Sequence, residues 1–212
     1  MEVHRVLLAV SWIILVVYSF FLAPVPYEDG MALLEMAKGN ILDKDPLLIS
    51  IFNLMGMIPM MMAVLLLPLG KTRKLPSWPF IIGSFVSGAF ALLPYFIFGP
   101  GNRKKTPKFS KFFKILEGRF VTVSIFATII LLLLFGLIMG NPSDYWRLFL
   151  NDRSVHIMTF DFIILLLLLP MAVFFNGKYS GKKSIDIQIL SIAIPLIGPA
   201  VYLVYRSFKM KD

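Results

Sequence analysis

"IILLLLFGLIM", residues 129–139, is an unbroken apolar row. It is too uniform for the alternating strands of a membrane β-barrel and has no polar face to turn towards water. With its flanks it fills 120–139, the roughly 20 residues that a helix needs to cross a hydrocarbon core about 30 Å thick. Five more runs of that size lie at 6–23, 47–69, 78–98, 155–175 and 185–205. Backbone groups in lipid must be satisfied within their own segment, so each run reads as a helix. The expected fold is all-α: a polytopic membrane helix bundle with six transmembrane helices and short interfacial helices between them, forming a single integral membrane domain over 1–212.

Composition agrees. The chain is 58% hydrophobic with a mean hydropathy of +0.82, and what remains forms connections rather than a soluble domain. The absence of cysteine removes disulfides, iron–sulfur sites, thiolate zinc and cysteine nucleophiles together. The first run is long for the core of a secretory signal, and its small-residue exit, Ala23, precedes Pro24, so it is expected to stay as an anchor. The net charge of +9 comes from basic residues beside helix ends. It speaks of lipid headgroups and topology rather than of nucleic acid.

The connections differ in character. The first, 24–46, is acidic, and Leu34, Ala37 and Ile41 in it recur at the spacing of a short interfacial helix. The third carries seven of the 21 Lys and Arg. There Phe109, Phe112, Phe113 and Leu116 fall on one helical face beside Lys104, Lys105, Lys108, Lys111 and Lys114, which predicts an amphipathic helix on an anionic leaflet. In the fourth, Asn141 is an expected N-cap with Pro142 at the first helical position, followed by Tyr145, Trp146 and Phe149 at headgroup level. Six crossings would divide the Lys and Arg almost evenly between the two faces, so the positive-inside rule gives only a lean towards a cytoplasmic third connection.

An internal repeat accounts for that balance. A shift of 109 residues lays Met62, Ala63 and Val64 over Met171, Ala172 and Val173. Each half, 1–98 and 120–205, reads as helix, interfacial turn, helix, basic hairpin, helix. Three crossings per half would make the halves inverted, as in many transporters.

Few residues carry chemistry. Asp161 is the most informative, because a carboxylate within a span is costly and faces the bundle interior or a water-filled cavity; proton relay, ion coordination and a hydrogen-bonded anchor capped by Thr159 or a neighbouring helix are its readings. Asn53 is read alike, with interhelical hydrogen bonding as the structural alternative. Under six crossings His4 and His156 share a face, so a bis-imidazole site is conceivable, against an interfacial role for each. Met55, Met57, Met60, Met61 and Met62 suggest a copper(I) path or simply lipid-facing filler. Gly83, Ser84, Ser87 and Gly88 form two small-xxx-small pairs suited to helix packing. Phosphate-binding loops, metalloprotease helices and nucleophile elbows are absent, so no catalytic residue, metal or cofactor is expected.

The stretches "DPLLISIFNLMGMIPM", "LPSWPFIIGSFVSGAFALLPYF" and "HIMTFDFIILLLLLP", within 45–170, resemble a poorly characterised multi-pass membrane family of cyanobacteria and chloroplasts. The resemblance implies a photosynthetic, thylakoid-type membrane and brings no catalytic residues. Lacking a Ser-rich transit peptide, the chain fits a cyanobacterial or plastid-encoded source. Two functions are expected to compete. One is a non-catalytic protein that packs with or helps assemble a larger membrane complex. The other is a small-solute or ion carrier with a midplane site near Asp161 and Asn53, with His156 as a further candidate. Bilayer lipid, anionic headgroups and other membrane proteins are the expected partners, and nucleic acid is not.

Overall fold

A computed structural model describes residues 3–23, 32–69, 75–99, 115–180 and 185–209. Among the described residues there are ten α-helices and no strand. Four segments are long and apolar enough to cross a membrane. The first is α1 (Val3–Val17) with its continuation through a π-turn, Tyr18–Leu22; the second is α3 (Pro46–Leu66) with a 3₁₀ turn, Leu67–Leu69; the others are α6 (Arg119–Met139) and α8 (Arg153–Ser180). Two short helices, α2 (Ala32–Ala37) and α7 (Pro142–Asn151), precede α3 and α8.

The third and sixth apolar runs do not form single helices. The third is α4 (Trp78–Ser87) followed by α5 (Ala89–Phe98), and the sixth is α9 (Ile185–Ala193) followed by α10 (Ile197–Lys209). Each pair folds back on itself. The Phe80 and Tyr95 rings lie 5.6 Å apart, whereas fifteen residues of unbroken helix would separate them by about 22 Å. A Cβ on Gly83 would sit 3.1 Å from that of Ala91, and one on Gly198 would reach the Cα of Ser191 at 2.6 Å. The turn of the first hairpin is Gly88, at φ 53° and ψ −126°, the conformation of the first central residue of a type II′ turn, which glycine dominates. In the second hairpin Pro195 lies in the turn and Pro199 in the first turn of α10. The small residues expected to pack helix on helix thus serve the hairpin itself, with Ser84 and Ser87 bonding back to Ile81 O and Gly83 O at 2.7 and 3.0 Å.

Polar contacts fix which helix ends lie together. At one end Asp45 caps α3, accepting from Leu47 N at 2.8 Å, and its other oxygen accepts from Asn141 N, the N-cap of α7, at 2.8 Å. Asp152 mirrors it, accepting from Ser154 N and Val155 N at the start of α8 and from Ala32 N at the start of α2. At the same end Arg153 donates to Ser19 O and Phe20 O of α1. At the opposite end Ser77, just before α4, donates to Leu66 O, and Asn176 of α8 donates to Leu65 O. Asn176 Oδ1 accepts from Tyr202 and Arg206 of α10, and Arg206 forms a buried ion pair with Glu117, just ahead of α6.

Helices α3 and α8 therefore begin at the same end of the molecule. The two halves repeat as long helix, short helix, long helix and hairpin, all running in the same sense. The inverted arrangement expected from an odd number of crossings per half does not arise, because each hairpin returns the chain to the end from which it set out. The first hairpin packs on α1 and α3 of its own half and on α8 of the other; the second packs on α6 and α8 of its own half and on α3 of the other.

The core runs between these elements through Leu54, Ile58, Met61, Met62, Leu65, Leu93, Phe96, Ile129, Leu165 and Leu169. Met61 and Met62 are fully buried, not lipid-facing, because they sit on the face of α3 turned to the other helices.

Gly88→Ala is expected to lower stability by more than about 1 kcal/mol, since the backbone there excludes an L side chain. Gly56→Ala, in open space within α3, should instead raise it by roughly 0.5–1 kcal/mol. Thermal unfolding of the two variants in mild detergent checks the opposite signs.

Candidate functional site

Asp161 lies on α8, eight residues and so about 12 Å from the helix start. It is buried, at 4% exposure. Its Oδ1 accepts from Ala89 N, the first residue of α5, at 2.8 Å. A helix start leaves amides without intrahelical partners and carries a partial positive charge, so a carboxylate answers both. The approach is so close that a Cβ on Gly88 would fall within the carboxylate, a second reason, besides φ, for glycine at that position. From the other side Trp12 Nε1 of α1 donates to Phe90 O at 3.1 Å. The hairpin tip is thus clamped between α1 and α8. Of the two partners expected for Asp161, the neighbouring helix supplies it; Thr159 instead donates to Val155 O of its own helix and pairs with Tyr145 OH at 2.7 Å.

Asn53 does not join Asp161. Its side chain is exposed, and Nδ2 donates to Ile49 O of its own helix at 2.8 Å. The shared midplane site expected from these two residues is absent, because Asn53 falls on the outward stripe of α3 while Asp161 falls on the inward face of α8. Gly56 and Met60 lie on the same stripe as Asn53, at i+3 and i+7.

His156 is held by both ring nitrogens: Nε2 to Tyr18 OH at 2.7 Å and Nδ1 to Phe149 O at 2.8 Å. Its ring stacks on Phe149 with centroids 4.4 Å apart and tilts against Phe160 at 5.2 Å. Nothing remains for a ligand, and the residue ties α1 and α7 to α8. His4 lies at the start of α1, at the opposite end of that helix from Tyr18, so the two histidines do not lie together and the bis-imidazole expectation is not met. No group of three metal-ligating side chains occurs among the described residues. Lys104, Lys105, Lys108, Lys111 and Lys114 lie outside the described residues.

The Glu117–Arg206–Asn176–Tyr202 cluster escaped the sequence reading. Its signal was faint: one acidic residue in the otherwise basic third connection, and an arginine in the last helix. Burying two charges costs several kcal/mol per ion unless they pair and find further hydrogen bonds, and the Arg206 guanidinium meets both Glu117 and Asn176.

Comparison with protein-family models, with curated proteins and with solved structures finds no match to this chain.

Replacing Asp161 by Leu leaves the Ala89 amide buried without an acceptor and is expected to cost about 1–3 kcal/mol. Asp161→Asn, which keeps an acceptor oxygen, should cost less. Melting temperatures of the two purified variants test this order; equal and negligible losses would remove the cap from the account of the fold.

Proposed function

We propose that this protein is a non-catalytic integral membrane protein that crosses the bilayer four times, carries two re-entrant hairpins, and packs with other membrane proteins in a larger complex. The observation that carries the reading is Asn53. It lies seven residues, about 10 Å, into α3, faces outward, and among the described residues bonds only its own helix. A carboxamide in hydrocarbon favours a hydrogen-bonding partner on another helix, and a small residue beside it lets that helix approach. Gly56 supplies that space, with nothing within 4 Å of the position of its absent Cβ. Asp161 and His156, the residues best suited to a carrier, are committed to holding helices together.

The topology supports the same reading. With both hairpins re-entrant, the chain segments at the hairpin end carry all the Lys and Arg except Lys38, Lys44, Arg147 and Arg153. That leaves 17 of 21 on one face, a strong bias under the positive-inside rule, which makes it the cytoplasmic or stromal face. The near-even division expected from six crossings came from assigning alternate basic connections to opposite sides. The resemblance of 45–170 to the cyanobacterial and plastid family supports a photosynthetic membrane as the setting.

Single cysteines at Glu2, Lys105, Lys182 and Lys211 are expected to react with an impermeant reagent from one side, and a cysteine at Asp144 from the other. Six crossings would instead put Lys105 and Lys182 opposite Glu2. Extraction in mild detergent should give a stoichiometric complex that Asn53→Leu dissolves without lowering the protein's own melting temperature. A lone species in mild detergent, indifferent to Asn53→Leu, would overturn the reading.

A further inference from the structure

The two hairpin tips are treated differently. The first is filled by the Asp161 carboxylate from the long helix of the other half. Aligning the helix-capping residues Asp45 and Asp152 brings Asp161 onto Leu54, so at the second tip the other half offers a leucine. The second tip has less need of a carboxylate, because Pro195 and Pro199 carry no N–H to be left unpaired and Gly198 N already donates to Ile194 O at 2.8 Å. Beside this tip lies a cavity of about 280 Å³, bounded by the tip itself at Ile194, by Ser50, Ile51 and Leu54 of α3, by Leu132 and Gly136 of α6, and by α8.

We propose that this cavity takes the hydrocarbon chain of a bilayer lipid. Its walls are almost wholly apolar, which excludes an ion or a charged solute, since unpaired charge in such surroundings is prohibitively costly. Apolar cavities of this kind stay dry and accept apolar guests. The volume falls just under the roughly 300–1,000 Å³ of pockets that enclose a drug-sized ligand, which suits one chain rather than a whole lipid. The cavity is only partly enclosed, and its lining includes Leu137, 74% exposed, and Ile194, 44% exposed, so it opens on the outer surface of α6 and the hairpin, where the membrane reading puts lipid. The one polar side chain in the wall, Ser50, is 2% exposed, and its hydroxyl has no partner among the described residues. It lies against Gly136, where a Cβ would come within 2.7 Å of it. The occupant goes beyond the proposed function and does not rest on any protein partner.

The test uses the full chain in phosphatidylcholine nanodiscs, with a phosphatidylcholine probe bearing a photoreactive diazirine on its acyl chain. Cross-links read by mass spectrometry are expected to concentrate on 50–54 and 132–137, well above those on the exposed face of α1 at Val6, Val10 and Ile13. Ile51→Trp, which fills the cavity, should reduce the first set severalfold and leave the α1 set unchanged; Leu132→Trp, filling it from the opposite wall, should do the same if Ile51→Trp fails to fold. Labelling of the cavity segments no stronger than that of α1, or insensitive to both tryptophans, would mean ordinary annular lipid and overturn the proposal. Protection of these segments whenever a protein partner co-purifies would overturn it in favour of a partner's side chain.

Discussion

Turning a chain back inside an apolar layer strands the amides at the start of the returning helix. No water is available there to satisfy them, and each unsatisfied group costs several kcal/mol. Asp161 resolves this for the first hairpin by accepting from Ala89, and much else follows from that contact. Gly88 is required because the carboxylate occupies the space of its Cβ. The long helix α8 is committed to the other half of the molecule, and α1 gains a partner for Trp12 in the carbonyl of Phe90. The second hairpin meets the same constraint with prolines, and so its tip can border an apolar space.

The two ends of the bundle are fastened by different means. At the end where α3 and α8 begin, Asp45 and Asp152 each cap their own helix with one oxygen and bond the start of the other half's short helix with the second. At the other end the Arg206–Glu117 pair is buried. It draws together the exit of the second hairpin and the approach to α6, while Asn176 extends the link to α8 and α3. Removing one partner of such a pair is more damaging than removing both, because the survivor is left buried and charged.

Helix α1 has little apolar packing to hold it. Leu15 is its one buried apolar residue between Val3 and Val17, and most of its surface is exposed valine, leucine and isoleucine. Besides Leu8, Trp12 and Leu15, which pack against the core, polar contacts attach it: Trp12 to the hairpin tip, Tyr18 to His156, and the carbonyls of Ser19 and Phe20 to Arg153. With no hydrophobic drive between helices in lipid, such hydrogen bonds and close packing are the means of association available. The outward Asn53, which among the described residues bonds only within α3, is a polar group of the same kind.

The helical character of the chain, the cap at Asn141 and the singular position of Asp161 were all determined by sequence, because each depends on local rules: apolar length, capping chemistry, and the cost of a carboxylate in an apolar run. Whether a run of twenty apolar residues crosses or turns back was not. A hairpin of two ten-residue helices and one straight helix have the same composition, and only the tertiary partner decides between them: a carboxylate from α8 at Gly88, a pair of prolines in the second tip. That decision reversed the relation of the halves, separated His4 from His156, and moved Asn53 away from Asp161. Facing across a bundle is a property of packing, to which residue spacing along a single helix is blind.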